Sequence, residues 1–416
     1  MVTTASELRH DEGSRAPSDA PGWHGFEPAK LRGTPLYDDP FPALHRLRVE
    51  APVHETPIGS WRLARYADCV RLLRGVRCGV RRRDGTLPHR APSQGPGEFM
   101  LQQDPPHHTR LRKLVSKAFT PRAVEQWRPR VRAIVAEQLA PALERGTMDV
   151  IAELALPVPA TLICELLGVP VADRDRFTVW TADATHGLAG DLAPPEIQQR
   201  ALAAAAALAD YFRDLIAERR KRLTDDLLSV LIRAEEEGDR LSPSELVVQS
   251  IGLLIAGFET TIGLIGLGAK NFARHPDQRE RVRANPALVP NAVEECLRFE
   301  GPIGMTVRVL HEDAVFGGRR IPADSEVLAI LWSANRDPEV FPDPDRFDVA
   351  RPNARDHLAF GGGTHLCLGA HLARMEAQEA LGALVTRAPT LELLAERIEW
   401  GPSLFRVPAR LPVALR

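Results

Sequence analysis

The sequence predicts a mainly helical, α+β protein, and three observations carry that expectation. The apolar run from Leu246 to Ala269 is far too long for a strand. Gln198 to Arg222 is filled with alanine and other strong helix formers. Strand-like alternation, in contrast, is confined to two stretches, one ahead of Tyr66 and one after Pro302.

In chain order, residues 1–22 are polar and proline-rich, and a poorly ordered tail is expected there. Residues 23–416 are expected to form a single domain, because no linker or repeat divides them. No basic segment followed by an apolar run opens the chain, so neither a secretory signal nor a membrane anchor is expected. Short strands are predicted over Pro52–Glu55 and Trp61–Arg65, then a mostly helical stretch from Pro105 to Leu297. Asp104 is placed to cap its first helix, with Pro105 in the first turn. Ser242-Pro243-Ser244-Glu245 offers a cap, a first-turn proline and a third-position glutamate for the central helix, and His275-Pro276 marks its end. That helix is long enough to span a bilayer, but Glu259, Thr260 and Thr261 near its middle favour a core helix of a soluble protein. Another helix begins near Pro290. After it, strands are predicted over Thr306–Leu310, Ala314–Phe316 and Val327–Leu331, with Gly317-Gly318 as a turn. The Pro/Asp-rich loop 337–352 leads to a glycine cluster and a final helix.

Composition narrows the function. Lys plus Arg total 53 and Asp plus Glu 55, a net charge of −2. A nucleic-acid binder acting through phosphate neutralisation would be visibly basic, so none is expected. The 5 cysteines are scattered without a CxxC pair, which fits a reducing, cytoplasmic setting.

The glycine cluster Phe360-Gly361-Gly362-Gly363-Thr364-His365-Leu366-Cys367-Leu368-Gly369-Ala370 fails as a phosphate loop. Leu366 stands where GxGxxG needs glycine, and no lysine follows Gly369. What remains is a cysteine at a loop-to-helix junction. Free N–H groups and the helix dipole there are expected to lower the Cys367 pKa, suiting it to be a soft metal ligand or a nucleophile. A lone cysteine is more often an inert core residue. A Cys367–His365 hydrolase dyad is disfavoured because no third group orients the pair.

The segment Phe360-x-x-Gly363-x-His365-x-Cys367-x-Gly369 resembles the haem-binding signature of the cytochrome P450 superfamily, and the resemblance extends from about Asp38 to the C-terminus. It implies a triangular helical prism with a smaller β-rich lobe, and haem between the central helix and the cysteine loop. Cys367 would be the proximal thiolate ligand, which favours O–O cleavage. Phe360 would pack beside the sulfur, with Ala359, Gly361, Leu368, Gly369 and Ala373 also against the cofactor. Ala256-Gly257-Phe258-Glu259-Thr260-Thr261 looks like the oxygen-activation motif. Ala256 and Gly257 are small where the helix passes haem, and Glu259 and Thr260 would deliver protons. Thr260, four residues after Ala256, shares its face, so its hydroxyl is expected to bond the Ala256 carbonyl and loosen the helix. His108 and Arg112 match propionate-binding positions, with Arg308 and His365; Leu101 would contact haem from the preceding loop. Glu295, Arg298 and Arg346 are read as a structural network behind it.

The implied reaction inserts one oxygen atom from O2 into a hydrophobic small molecule, with electrons from NAD(P)H through a separate redox partner. Ferredoxin is the expected partner, and Arg110, Lys113 and Lys117 form its expected docking face. Ile255, Ile303, Met305, Thr306, Leu404 and Phe405 are expected pocket walls, consistent with a terpenoid, steroid, fatty acid or macrolide. Arg81-Arg82-Arg83 is read as a solvated loop. Oxidative coupling, peroxide-driven oxidation and a non-catalytic haem sensor are the alternatives, and a monomer is expected.

Overall fold

The computed structural model describes residues 35–88, 99–187, 194–236, 241–402 and 404–416. The expected N-terminal tail, residues 89–98 and 188–193, and Ser403 lie outside the described residues.

The central helix runs from Pro243 to Arg274 and organises the molecule. Its start is built as expected. The Ser242 hydroxyl accepts the Glu245 N–H (3.1 Å), and the Glu245 carboxylate accepts the Ser242 N–H (2.7 Å). At its end, His275 is the cap and Pro276 opens the next helix. Most of its apolar length is buried inside the protein. The helices Arg128–Arg145, Pro157–Leu166, Arg174–His186, Pro195–Lys221 and Ala370–Arg387 contribute to the same apolar core. Gly268 lets the cysteine-bearing side approach closely: a Cβ there would sit 2.5 Å from Leu381 of the helix Ala370–Arg387.

The β lobe is a five-stranded sheet in the order Val53–Glu55, Trp61–Leu63, Glu326–Ile330, Met305–Leu310, Cys78–Gly79. Only the pairing of Trp61–Leu63 with Glu326–Ile330 is parallel. Ala314–Phe316 and Arg319–Ile321 form a hairpin whose turn, Gly317-Gly318, has φ of 52° and 80°. Two successive positive φ values explain the glycine pair. A third sheet joins Thr147–Asp149, Pro412–Ala414 and Glu392–Leu393. Those strands carry little alternation of their own, and pairing across the chain creates them.

Two local expectations are corrected. Asp104 does not cap the helix that follows, which spans His107–Ser116 with Pro106 at the cap position. Its carboxylate instead accepts the N–H groups of Val80 (3.0 Å) and Arg81 (3.0 Å), tying the sheet edge to this helix. Nor does the Arg346 side chain join the Glu295–Arg298 pair. Arg298 donates to both Glu295 oxygens (2.7 and 2.8 Å), and the second arginine on that carboxylate is Arg351 (3.2 Å to each oxygen). Arg346 is exposed and lends only its carbonyl, which accepts from Arg298 (3.2 Å) and Arg351 (2.8 Å).

Candidate active site

The cysteine loop is held shut by its own backbone. The Cys367 N–H donates to the Phe360 carbonyl (3.0 Å) and the Leu366 N–H to the Gly363 carbonyl (3.1 Å). Gly363 has φ 65°, and a Cβ on it would collide with the Leu73 carbonyl. Glycine is the residue that allows this approach. The helix Ala370–Arg387 then begins, with Gly369 as its cap residue. Cys367 is exposed, and a Cβ at neighbouring Gly369 would meet nothing within 4 Å. The expected fall in the thiol pKa is not found. Desolvation by the surrounding protein pushes it up, against the Gly369 N–H, Arg112 and Arg374, which pull it down.

Beside the cysteine lies a cluster of buried donors. His108 and His365 pack with ring centroids 4.3 Å apart. Nδ1 of His108 and both ring nitrogens of His365 lack a hydrogen-bond partner among the described residues. His365 Nε2 stands 3.6 Å from Asp104, an ion-pair separation too long for a hydrogen bond. Arg308 comes from the strand Met305–Leu310 and donates to Thr306 Oγ1 (3.1 Å) and the Val307 carbonyl (2.7 Å). Burial lowers the pKa of Arg308 and of Arg112, the latter drawn back by Cys367. His108 is pushed down to about 4 by burial, then by His365 and Arg112. Cationic and donor groups crowd here beside an Asp104 carboxylate already drawn to the Val80 and Arg81 amides, which fits a bound dianion, as the two carboxylates of a haem would provide.

The central helix contributes the other wall. Thr260 Oγ1 donates to the Ala256 carbonyl (2.8 Å), the hydrogen bond that the four-residue spacing anticipates. The helix nevertheless stays α-helical from Pro243 to Arg274, so the expected loosening is absent. Ala256 is exposed, Gly252, Ile255, Gly257 and Thr260 are half-buried, and Glu259 is buried, in a helix otherwise packed on nearly every side beyond Gly252. A Cβ on Gly257 would make only ordinary contact with Ile163, at 3.7 Å.

Other sequence-predicted residues are scattered. Leu101, on the turn Met100–Gln102, is exposed. Ala359, Phe360, Leu368 and Ala373 are partly buried against the main core, as are Ile255 and Phe405. Ile303 packs on the sheet core, and Leu404 is half-buried. Met305 is half-buried and packs against the cluster of Leu44, Leu47, Ala64, Ile330 and Trp332, whereas strand alternation puts Thr306 and Arg308 on the other face. Arg110 is ion-paired to Glu245 at the start of the central helix, so its charge is already committed; Lys113 and Lys117 are exposed. Sequence reasoning missed Glu294, His357 and Arg374, a network centred on the buried Glu294 carboxylate, whose only sequence trace is that Glu294 precedes Glu295.

Residues 80–387 match the cytochrome P450 family, and the chain belongs to it. It is thus a haem-dependent monooxygenase that draws electrons from NAD(P)H through a separate redox partner. It is 42% identical over 390 residues to the cytochrome P450 monooxygenase PikC of Streptomyces venezuelae, covering 91% of each chain. It is 39% identical over 402 residues to the vitamin D(3) 25-hydroxylase of Pseudonocardia autotrophica, covering 94% of this chain and 97% of that protein. Among solved structures, P450BioI in complex with hexadec-9Z-enoic acid ligated acyl carrier protein superposes with a TM-score of 0.83 at 33% identity, covering 92% of this chain and 99% of that one.

Proposed function

We propose that Cys367 is the proximal haem ligand and that the enzyme hydroxylates or epoxidises a lipophilic small molecule of terpenoid, steroid, fatty-acid or macrolide type. The exposed Cys367, flanked by the unsatisfied donors of His108 and His365, is the observation that carries this reading. His108, Arg112, Arg308 and His365 would hold the two haem carboxylates, and the lone methyl of Ala256 and the bare Cα of Gly257 would admit the ring beside the central helix. When bound, the haem supplies activation of dioxygen and transfer of one oxygen atom to substrate. Thr260, anchored to the Ala256 carbonyl, presents its hydroxyl on that face, and Glu259 one residue earlier feeds protons to it.

Ile255, Ile303, Thr306, Leu404 and Phe405 would line an apolar pocket, which favours a lipophilic substrate by burial of apolar surface. The vitamin D(3) and fatty-acyl names among the similar proteins support the same substrate class. We assign the electron donor to an acidic ferredoxin of the cytoplasm, docking over Lys113 and Lys117, with Arg110 in support only through its pair with Glu245. The test is spectral. The reduced carbonyl complex of the holoenzyme should show the thiolate-type band, and Cys367→Ser should abolish it while retaining fold. Turnover with ferredoxin, reductase and NADPH supports the oxygenase reading; turnover with peroxide alone would replace it.

A further inference from the structure

A chain of contacts runs from the interior to the back of the cysteine loop. Glu294, on the helix Val289–Glu300, is 2% exposed, and nothing in the reaction proposed above uses it. Its carboxylate receives Arg374 in a two-point pair, Nε at 2.8 Å and Nη2 at 3.0 Å. His357 Nε2 stands 3.1 Å from the same carboxylate. His357 Nδ1 accepts the Ala359 N–H (3.1 Å), which leaves Nε2 as the nitrogen that donates to Glu294. Exposed Arg355 adds a distant contact at 4.0 Å.

Arg374 and His357 both hold Phe360. The Arg374 guanidinium lies 4.5 Å from the Phe360 ring centroid, and the His357 ring lies 5.7 Å from it. The Phe360 carbonyl in turn accepts the Cys367 N–H at 3.0 Å. Glu294 therefore fixes a cation and an imidazole against the residue whose carbonyl holds the Cys367 N–H. Burial raises the Glu294 carboxyl, but His357 and Arg374 overcome this and bring it to about 2, so it stays anionic at neutral pH. Fixed charges in a site of low dielectric act strongly on one another.

The geometry points to Glu294 and Arg374 as a pair of positioning residues that sets the reduction potential of haem held by Cys367, through opposed charges behind Phe360. Adding an electron to the iron is favoured by a nearby cation and disfavoured by a nearby anion. In the wild type the Glu294 carboxylate offsets part of the Arg374 charge. Glu294→Gln leaves the cation unopposed, Arg374→Gln leaves the anion, and the double variant removes both. The inference rests on Cys367 being the ligand.

Spectroelectrochemical titration of the purified holoenzyme tests it. Glu294→Gln should move the ferric/ferrous potential upward and Arg374→Gln downward, and the double variant should fall between the two. Shifts of the same sign, or no shift, would overturn the inference, because a merely structural pair would lose haem or the thiolate band without opposed shifts. If Glu294→Gln fails to take up haem, Arg374→Lys replaces it: the retained charge should keep the wild-type potential while Arg374→Gln lowers it, and equal potentials in the two overturn the idea. A wild-type carbonyl complex lacking the thiolate band would sink the ligand assignment instead, so the two failures are distinguishable.

Discussion

Removing Arg351 should destabilise the protein far more than removing Arg346, although the family pattern points to Arg346. Glu295 and Arg298 are fully enclosed, and Arg351 is nearly so. The Arg351 guanidinium donates to both Glu295 oxygens at 3.2 Å and to the carbonyls of Pro342 (2.6 Å), Asp343 (3.0 Å) and Arg346 (2.8 Å). Taking one partner from a buried ion pair costs about 3–5 kcal/mol. Arg298 remains on the carboxylate in Arg351→Ala, so the lower end applies, about 3 kcal/mol. Arg346→Ala deletes an exposed side chain and keeps the carbonyl that both arginines use, which confines its effect to about 0.5 kcal/mol. Urea unfolding followed by far-UV circular dichroism measures both variants directly. Equal losses, or a larger loss for Arg346→Ala, would refute the assignment of Arg351.

Thr260→Ala should uncouple electron use from product, with hydrogen peroxide rising per NADPH consumed, while Thr260→Ser stays near wild type; unchanged coupling in the alanine variant would remove Thr260 from proton delivery. Burial pushes the Glu376 carboxyl up to about 8, so the folded chain keeps a proton that the unfolded chain releases above about pH 4.3. This group's stabilisation is complete below that pH and is lost as pH rises toward 8, at about 1.4 kcal/mol per unit. Glu376→Gln should then gain roughly 4 kcal/mol over wild type at pH 7, and parallel stability curves from pH 5 to 8 would contradict it. Lys113→Glu with Lys117→Glu should raise the KM for an acidic ferredoxin several-fold at low salt, an effect that fades as salt screens it; a salt-independent KM would dismiss that docking face.

What the sequence showed clearly was local. The capping box at Ser242 and Glu245 and the Thr260–Ala256 hydrogen bond span three and four residues, and neighbouring backbone dictates them. The Gly317-Gly318 hairpin is likewise a property of its own turn. The three-stranded sheet was invisible for the opposite reason. Its strands come from residues 147–149, 392–393 and 412–414, and only their meeting defines them. The paired histidines fell between these cases: a resemblance pointed to His108 and His365, but only the fold shows their rings packed 4.3 Å apart with nitrogens unsatisfied.

The two local misreadings have one physical origin. A carboxylate or guanidinium offers several hydrogen-bonding sites, and sequence spacing ranks only the nearest partners. Asp104 had a helix start two residues away, yet the free amides of Val80 and Arg81 at the end of the sheet edge took it. Those amides had no strand partner, and leaving them buried and unpaired would cost more than leaving one helix cap to a proline. Around Glu295, the loop direction decided which arginine arrived. Asp343 takes a positive φ of 47°, the chain doubles back, and Arg351 rather than Arg346 points inward while the Arg346 carbonyl faces the pair. In both places the unsatisfied backbone, which no spacing rule records, selected the side chain.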